Sequence, residues 1–574
     1  MIYFVMPDRF ANGDPANDTG GIEGGRAQHG FDPTHKGFYH GGDLVGLTQK
    51  LDYIQGLGAT AIWLTPVFVN RVVQGPPHDF TAGYHGYWIT DFTGIDPHLG
   101  TRQEFGELVR QAHDRGMRVI MDIVINHTAD IIQYRECTVR NEAAAVYWSD
   151  CEYRSIEEYP WTTRGGPDGE TINAGFEGDA PERQTSENFA RLDNPDWAYE
   201  VFIPERDRQI KVPDWLNDPL YYHNRGNSHW EGESSLYGDF SGLDDVFTEH
   251  PRVVEGMLDI YTSWLSDFRI DGFRVDTAKH VNDAFWTQFN PKIVEHAGSL
   301  GIHQFHLFGE AYAGTPEELA RYTTEAAFPS VLDFAFAHTA QKVITGEAAP
   351  TALAQVFERD ELYRGAGANA LPTFIGNHDD GRIGHFLIKA LGTDADEQEL
   401  LARTILGHGL MLFSRGVPVI YYGDEQGFTG DGRDQDAREN MFPSRVEIYN
   451  DNRLIGTDAT AADDNFNTSH PIYRAIAEMA QVRAATPALR RGVQQVLRAD
   501  DRPGLLALHR ATDDQRAIIV FNTGTDATRA RFYSDIAKAG WRVAFQRGLT
   551  DWSAEDDGLR VQLEPLSFAV FIGD

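Results

Sequence analysis

Eight short apolar stretches recur along the chain, and most are separated by longer stretches with apolar residues every three or four positions. One of the longer stretches, residues 101–116, opens with a capping threonine and closes with a glycine, as helices do. This alternation predicts a parallel (β/α)8 TIM barrel. A doubly wound open sheet is disfavoured, because no glycine-rich phosphate loop follows the first stretch. The predicted strands lie in MIYFVM, ATAIWLTPV, RVIMDIVIN, FRIDGFRVD, QFHLFGEA, SVLDFAF, LPTFIGNHD and GVPVIYYGDE.

Two regions interrupt the alternation. Residues 128–246 are rich in Trp, Tyr, Asp, Pro and Gly and are too long for a structureless loop, so we predict an inserted domain after the third strand. In residues 491–574, short runs alternate apolar and polar positions, which predicts a C-terminal antiparallel β-domain, a β-sandwich. The barrel is therefore expected to comprise residues 1–127 and 247–490.

The composition excludes some classes of partner. The 574-residue chain has a formal net charge of −36, which argues against binding to nucleic acid or to an anionic membrane. The chain contains no apolar run of the roughly 18 residues that a membrane-spanning helix needs. The acidic balance fits an uncharged substrate, cation binding or simply good solubility. We expect the protein to be a monomer.

The two cysteines bear on the compartment. Cys137 and Cys151 either form a disulfide or remain free thiols, and the disulfide, which indicates an oxidising compartment, is the preferred interpretation. The chain opens on a strand pattern and not on a secretion signal, so either the protein is cytoplasmic or a leader has been removed. Of these alternatives we expect an extracellular or periplasmic location, with the leader absent from the given chain.

Polar and charged residues cluster where the predicted strands end, which is where (β/α)8 barrels carry their chemistry. In the fourth strand, Arg274 and Asp276 are two positions apart, so both side chains point to the same face. Buried charges are costly unless they are paired, so a site at the barrel mouth explains the set better than packing does. The set comprises Asp122, Asn126, His127, Arg274, Asp276, Lys279, His280, Glu310, Asn377, His378 and Asp379.

Four of these strand ends carry the motifs MDIVINH, GFRVDTAKH, FGEA and FIGNHDD. In this order and spacing they resemble the four successive signatures of the α-amylase family of retaining glycoside hydrolases. GATAIWLTPV, GYHGYW and GVPVIYYGDE are similar to minor signatures of that family. The resemblance is closest to calcium-dependent α-amylases and cyclodextrin glucanotransferases, and it implies that the inserted domain and the C-terminal β-domain are the family's domains B and C.

The resemblance implies roles for three carboxylates. Asp276 is similar to the family's nucleophile, Glu310 to its general acid/base, and Asp379 to the carboxylate that binds sugar hydroxyls. Retaining enzymes hold the first two carboxyls about 5–5.5 Å apart. We expect Arg274 to keep Asp276 ionised, and a partly apolar site with a nearby anion to raise the pKa of Glu310.

The resemblance also implies a sugar-binding set. Tyr87 is expected to stack on a glucose ring, with His85 as a partner of its hydroxyls. By the same resemblance, His127 and His378 would bind this sugar. Lys279 and His280 would contact the sugar on the leaving-group side, and this pair favours starch-like α-1,4-glucans as substrates. The complete predicted set is His85, Tyr87, His127, Arg274, Lys279, His280 and His378.

The loop ANGDPANDTGG concentrates side-chain oxygens, which suit a hard cation such as Ca²⁺. A plain polar turn explains the same composition. In cyclodextrin glucanotransferases and related α-amylases, however, a similar loop binds calcium together with a GGD motif, and this chain has that motif at residues 41–43. The resemblance therefore implies a calcium site made by Asn12, Asp14, Asn17, Asp18, Gly41 and Asp43.

The family's second calcium lies between its barrel and domain B. The corresponding ligands here are Asn126, Asp244 and the backbone carbonyl of His280, although the segment around Asp244 lacks the proline found in many relatives. Such an ion would hold the inserted domain over the cleft, so its removal would lower both stability and activity.

We expect endo-acting hydrolysis of α-1,4-glucosidic bonds in starch-like glucans and maltooligosaccharides, with Ca²⁺ and without an organic cofactor. The main alternative is a cyclodextrin glucanotransferase-like transglycosylase, which the N-terminal loop favours and the lack of further domains disfavours. An α-glucosidase or cyclomaltodextrinase is disfavoured by Lys279 and His280, and a non-catalytic glucan-binding relative by the presence of all three carboxylates. The stretch GDGRDQDARENMF is expected to be solvated and not to contact substrate.

Overall fold

The computed structural model describes residues 1–532, 540–555 and 558–573. Its central sheet has eight parallel strands: β1 (Ile2–Val5), β2 (Ala61–Leu64), β3 (Arg118–Ile123), β4 (Gly272–Val275), β5 (His306–Gly309), β6 (Ser330–Val331), β7 (Pro372–Thr373) and β8 (Val417–Tyr421). Their order is β6-β5-β4-β3-β2-β1-β8-β7. Just after β6, the backbone N–H of Asp333 donates to the carbonyl of Pro372 in β7 at 2.9 Å and brings the two edges together. The predicted barrel is confirmed.

The helices of the barrel follow the strands in the predicted alternation. The structure confirms the helix at residues 101–116, where Thr101 and Glu104 form a reciprocal capping box. The helices are α1 (Leu44–Gln49), α2 (Leu51–Gly56), α3 (Arg102–Asp114), α4 (Pro251–Phe268), α5 (Asp283–Ser299), α6 (Pro316–Thr324), α7 (Phe334–Thr345), α8 (Pro350–Phe357), α9 (Ile383–Leu391), α10 (Glu397–Phe413), α11 (Pro471–Ala485) and α12 (Pro487–Arg491). Single-turn helices occur at Pro7–Phe10, Arg26–His29, Ser186–Phe189, Ser234–Tyr237 and Glu447–Asn450.

The segment between β3 and α4 packs its buried side chains into the core that it shares with the barrel. Buried aromatic side chains such as Trp161, Phe189 and Trp197 replace the helix–strand alternation there. Cys137 and Cys151 form a disulfide, with their Cα atoms 5.7 Å apart. Short antiparallel strand pairs organise the rest: His127–Thr128 with Asp244–Asp245, Gln133–Tyr134 with Val201–Phe202, Thr138–Asn141 with Val146–Ser149, and Thr163–Arg164 with Glu170–Thr171.

Further short strands precede the helix α3. They lie between β2 and α3 and carry residues of the cleft on their connections. Two antiparallel pairs are formed, by Phe68–Asn70 with Ile89–Ile95 and by Val73–Gln74 with Thr81–Ala82.

The C-terminal strands form one connected antiparallel sheet: β9 (Val493–Ala499), β10 (Leu505–Ala511), β11 (Arg516–Asn522), β12 (Thr528–Phe532), β13 (Arg542–Glu555) and β14 (Gly558–Gly573). Along β10, Leu505 belongs to a cluster enclosed by the sheet, whereas Leu506 belongs to the core shared with the barrel. This alternation confirms the predicted antiparallel β-structure. The sandwich description and the domain boundaries stay predictions, and residues 533–539, 556–557 and 574 lie outside the described residues.

No helix within the described residues is long and apolar enough to cross a bilayer.

Arg415, just before β8, should be essential for stability because it neutralises Asp333 inside the core. Its guanidinium is 1% exposed and bonds Asp333 as well as Asp360, the latter at 2.8 Å. We predict that Arg415→Met lowers the free energy of unfolding by about 3–5 kcal/mol, because it leaves the buried carboxylate of Asp333 without a cationic partner. The measurement is urea unfolding followed by tryptophan fluorescence.

The matched control is Arg110→Met, which removes a surface ion-pair partner that is 58% exposed. It should change the free energy of unfolding by less than about 1 kcal/mol. Equal shifts in the two variants would contradict the role given to Arg415.

Candidate active site

A cleft of about 500 Å³ opens at the C-terminal ends of the barrel strands. Two predicted residues, Arg274 and His378, lie just below the residues that line the cleft. Arg274 forms a hydrogen bond with Asp276, and His378 forms one with Tyr87. The structure therefore brings the predicted catalytic and sugar-binding residues together. Those that line the cleft are His85, Tyr87, His127, Asp276, Lys279, His280, Glu310 and Asp379.

One guanidinium holds three carboxylates at the floor of the cleft. Nη1 of Arg274 lies 2.8 Å from Asp122 and 2.6 Å from Asp276, and Nη2 lies 2.7 Å from Glu310. The register of the barrel explains this, because Arg274 in β4 is paired with Asp122 in the neighbouring strand β3. Asp276 and Glu310 are thus held side by side by adjacent nitrogens of one group.

The three carboxyls differ in how strongly they hold a proton. Burial raises the pKa of Glu310 to about 8; Arg274 opposes this shift, and the charge of Asp276 adds to it. Burial raises the pKa of Asp122 to about 7, again against Arg274. Both carboxyls therefore hold a proton to a higher pH than free side chains do, which is what a general acid at Glu310 would need.

The electrostatics of Asp276 differ from the simple expectation. Burial raises its pKa, while the charge and hydrogen bond of Arg274 lower it. We expected Arg274 to keep Asp276 ionised, and the structure shows that the guanidinium is shared with two other carboxylates. The charge of Asp379 adds to the upward shift, so Arg274 only partly offsets the effect of burial on Asp276.

The backbone after Asp276 is turned into an unusual conformation. Thr277 has a φ of +47°, a left-handed value that is rare for a β-branched residue. In this conformation its N–H donates to Oε2 of Glu310 at 3.0 Å. The turn thus links the two carboxylates through the backbone, and the sequence alone carries no signal for it.

Tyr87 is fixed in the cleft by two polar contacts. Its hydroxyl donates to Asp122 at 3.0 Å and lies 2.9 Å from Nε2 of His378. Its ring is nearly parallel to those of His85 and His378, with interplanar angles of 19°. The tyrosine therefore has a set orientation before any substrate binds.

Burial lowers the pKa values of the histidines in the cleft. Burial lowers the pKa of His127 to about 3 and places the pKa values of His85 and His378 well below the usual range. Nε2 of His127 and Nδ1 of His378 are buried without a hydrogen-bond partner. Such free ring nitrogens suit the hydroxyl groups of a sugar.

The stretch after β8 was predicted to be solvated, and this was wrong for Arg438. Arg438 is 6% exposed and donates to Asp379 at 3.1 Å and to the carbonyl of His378 at 3.0 Å. Asp434 and Gln435 also line the cleft. The arginine orients Asp379, whose side chain remains 48% exposed in the cleft. A basic residue shortly after a barrel strand was the signal available.

Two exposed aromatic residues that line the cleft were also missed. Trp230 of the inserted segment is 40% exposed, and its ring lies 5.7 Å from that of His280. Tyr312, two residues after Glu310, is 45% exposed and donates to Asp380 at 3.2 Å. No periodic pattern marks residue 230, whereas the position of residue 312 just after a catalytic motif was a usable signal.

The N-terminal loop gathers the residues predicted to bind calcium. Oδ1 of Asn12 and Oδ1 of Asn17 are buried without a hydrogen-bond partner. A side chain at Gly41 would collide with Asp18, so the loop and the GGD motif are in contact. Asp43 accepts hydrogen bonds from the backbone of Gly13 and Asp14 at 3.0 and 2.7 Å. The donor set, with two unsatisfied amide oxygens, fits a hard cation.

The residues predicted for the second calcium do not present a free ligand set. Oδ2 of Asp244 accepts from Nζ of Lys211 at 2.5 Å, and its carboxyl also accepts from the backbone of Ile131 and Ile132. The carboxylate of Asp244 is therefore already paired with an ammonium, an arrangement that the predicted calcium site did not foresee. Within the part of the chain that the structure describes, no group of three or more His, Cys, Asp or Glu residues is arranged to hold a metal.

Known proteins match this chain along most of its length. A family model described as "Alpha amylase, catalytic domain" matches residues 4–492. An α-amylase of Streptomyces lividans is 43% identical over 96% of this chain, and the chain spans 58% of that protein's length. A periplasmic α-amylase of Escherichia coli is 28% identical over 77% of this chain and 63% of its own length.

Solved structures share the architecture. The crystal structure of CldA, described as a cyclomaltodextrin glucanotransferase with a three-domain ABC distribution, superposes with a TM-score of 0.71 at 25% identity, covering 100% of this chain and 98% of CldA. The family model spans the barrel and the inserted segment that together build the cleft. The chain therefore belongs to the α-amylase family.

Proposed function

We propose that the protein hydrolyses internal α-1,4-glucosidic bonds of starch-like glucans and maltooligosaccharides with retention of anomeric configuration. The observation that carries this proposal is the shared guanidinium of Arg274, which holds Asp276 and Glu310 side by side at the cleft floor. Membership of the α-amylase family and the relatives named α-amylase support the substrate class.

Two carboxylates perform the reaction in two steps. Protonated Glu310 donates its proton to the glycosidic oxygen while the carboxylate of Asp276 attacks the anomeric carbon, so the glycosidic bond breaks and the leaving chain departs with a new hydroxyl. Glu310, now ionised, then takes a proton from water as the water oxygen attacks the same carbon and releases Asp276. Asp379, oriented by Arg438, and the fixed ring of Tyr87 hold the reacting sugar.

The first test is Asp276→Asn with maltoheptaose as substrate. We predict at least a thousandfold loss of turnover, because the amide is a poor nucleophile, with the fold unchanged by circular dichroism. The control is Asp52→Asn, at a carboxylate that is 81% exposed, which should leave turnover unchanged. If Asp276→Asn kept its turnover, or if the unmodified protein bound maltoheptaose without cleaving it, the hydrolase proposal would fail.

A transglycosylase is the second candidate, and the exposed aromatics Trp230 and Tyr312 near the leaving-group side favour it. Such rings can hold a sugar acceptor in place of water. The expected lack of further domains is no longer an argument against it, since three-domain CldA is described as a cyclomaltodextrin glucanotransferase. A time course with maltoheptaose separates the two candidates: shorter linear products indicate hydrolysis, and early longer or cyclic products indicate transglycosylation.

The pH profile should report the proton on Glu310. Because its pKa is raised to about 8, the acid form is complete below neutrality, half lost near pH 8 and absent well above it. We predict that kcat/KM for maltoheptaose falls on the alkaline side with this midpoint. A rate that stays flat through about pH 9, with the fold intact by circular dichroism, would assign the proton donor elsewhere.

Glu310→Gln separates the acid role from the base role. A dinitrophenyl maltooligoside has a leaving group that needs no proton, so the variant should still complete the first step on it. The second step lacks its base, so we expect a rapid burst of dinitrophenol followed by slow turnover. Equal loss on maltoheptaose and on the dinitrophenyl substrate would contradict the role of Glu310.

The N-terminal loop binds one Ca²⁺ in this proposal. The support is the pair of unsatisfied oxygens on Asn12 and Asn17, next to Asp18 and the GGD motif. The ion would tie the loop after β1 to the start of α1 and has no role in the chemical steps.

Chelation should therefore lower stability. We predict that a chelator lowers the thermal unfolding midpoint. Adding Ca²⁺ at a hundred times its dissociation constant should then raise the free energy of unfolding by about 2.7 kcal/mol. Asn17→Ala should abolish this response, whereas Asn452→Ala, in another loop, should retain it. If neither the chelator nor Ca²⁺ changed the thermal unfolding midpoint of the unmodified protein, the loop site would be refuted.

The protein acts as a monomer outside the cytoplasm, in the extracellular space or the periplasm. The disulfide between Cys137 and Cys151 and the periplasmic relative in Escherichia coli support this location. The net charge of −36 gives no attraction to nucleic acid or anionic membranes, so the α-glucan is the expected partner.

A further inference from the structure

Lys211 is an unusual lysine for this chain. Only eight of its 50 basic residues are lysines, and the others are arginines. Among the described residues, Lys211 is the only lysine in the buried class, with a side chain that is 0% exposed. A buried ammonium is costly unless it is paired, so this position has a specific demand for a compact positive charge.

The demand comes from Asp244. Nζ of Lys211 donates to Asp244 Oδ2 at 2.5 Å and also lies 4.0 Å from the ring centre of Tyr222. The other hydrogen bonds of the carboxylate come from the backbone of Ile131 and Ile132, at 3.1–3.2 Å, and from the hydroxyl of Thr128 at 3.4 Å. The carboxylate is thus already held by an ammonium, a hydroxyl and two backbone amides.

The pair lies where the inserted segment joins the barrel. Asp244 pairs in antiparallel register with Thr128, shortly after β3. Next to Lys211, the backbone of Val212 exchanges hydrogen bonds with Thr90 and Phe92, in the strand that precedes α3. The ion pair therefore joins the C-terminal end of the inserted segment to the stretch around residue 212 that packs on the strand before α3.

We propose that the ammonium of Lys211 takes the place of a calcium ion at this junction. The charge that holds the inserted segment over the cleft is then part of the chain itself. A Ca²⁺ ion binds carboxylates at about 2.3–2.6 Å, so it would have to displace Nζ from Asp244. Both cations cannot occupy that position, because their like charges would repel each other in a buried setting.

Calcium stoichiometry of the unmodified protein tests the inference directly. After the protein is stripped with a chelator, titration calorimetry with CaCl₂ should show at most one equivalent per chain. One bound equivalent of Ca²⁺ agrees with a calcium ion in the N-terminal loop and with Lys211 at the junction. Zero equivalents would refute the N-terminal loop site and leave the inference about Lys211 intact. A second equivalent that is lost in Asp244→Asn would overturn the role of Lys211.

Variants at the pair add an independent measurement. Lys211→Met keeps the apolar stem and removes the charge, so we expect its thermal midpoint to fall by several degrees. Lys211→Met with Asp244→Asn should recover part of that loss, because no buried charge is left unpaired. A double variant as unstable as the sum of the two single ones would show that packing alone matters and would overturn the inference. If Lys211→Met does not fold, the calorimetric result on the unmodified protein still decides whether a Ca²⁺ ion binds at Asp244.

Discussion

The contact between one arginine and three carboxylates is the constraint on which the site depends. Arg274 is removed from water, so it requires negative partners, and those partners come from β3, β4 and the end of β5. The register of the parallel strands places them around it, and α-helices on the outside keep water from the opposite face. Fold and reactivity therefore rest on the same interaction, because without the barrel register the carboxylates would not share a cation.

Much of the barrel and of its reactive centre could be predicted from the sequence. Strand ends have a fixed position in a (β/α)8 barrel, so Asp276, Glu310 and Asp379 could be assigned to one cleft from their order alone. The helix at residues 101–116 could also be predicted, because its capping residues lie next to it in the sequence. The features that were predicted correctly depend on interactions between residues close in sequence and on the repeated strand–helix unit of the barrel.

The parts that could not be predicted depend on contacts between distant segments. Trp230 and Lys211 belong to an insertion without periodicity, so no pattern states which way they point. Arg438 was assigned to solvent because its neighbours are charged, yet the cleft buries it against Asp379. Asp244 was assigned as a calcium ligand by resemblance, whereas the structure pairs its carboxylate with the ammonium of Lys211, 33 residues away.

The neutral histidines around Tyr87 have a consequence for substrate affinity. Burial lowers the pKa values of His85, His127 and His378, so these rings remain neutral hydrogen-bonding groups at mildly acidic pH. The proposed ligand, a glucan, is itself uncharged. Any change of its affinity with pH in that range would therefore come from the carboxyls at the cleft floor, such as Asp122, whose pKa burial raises to about 7.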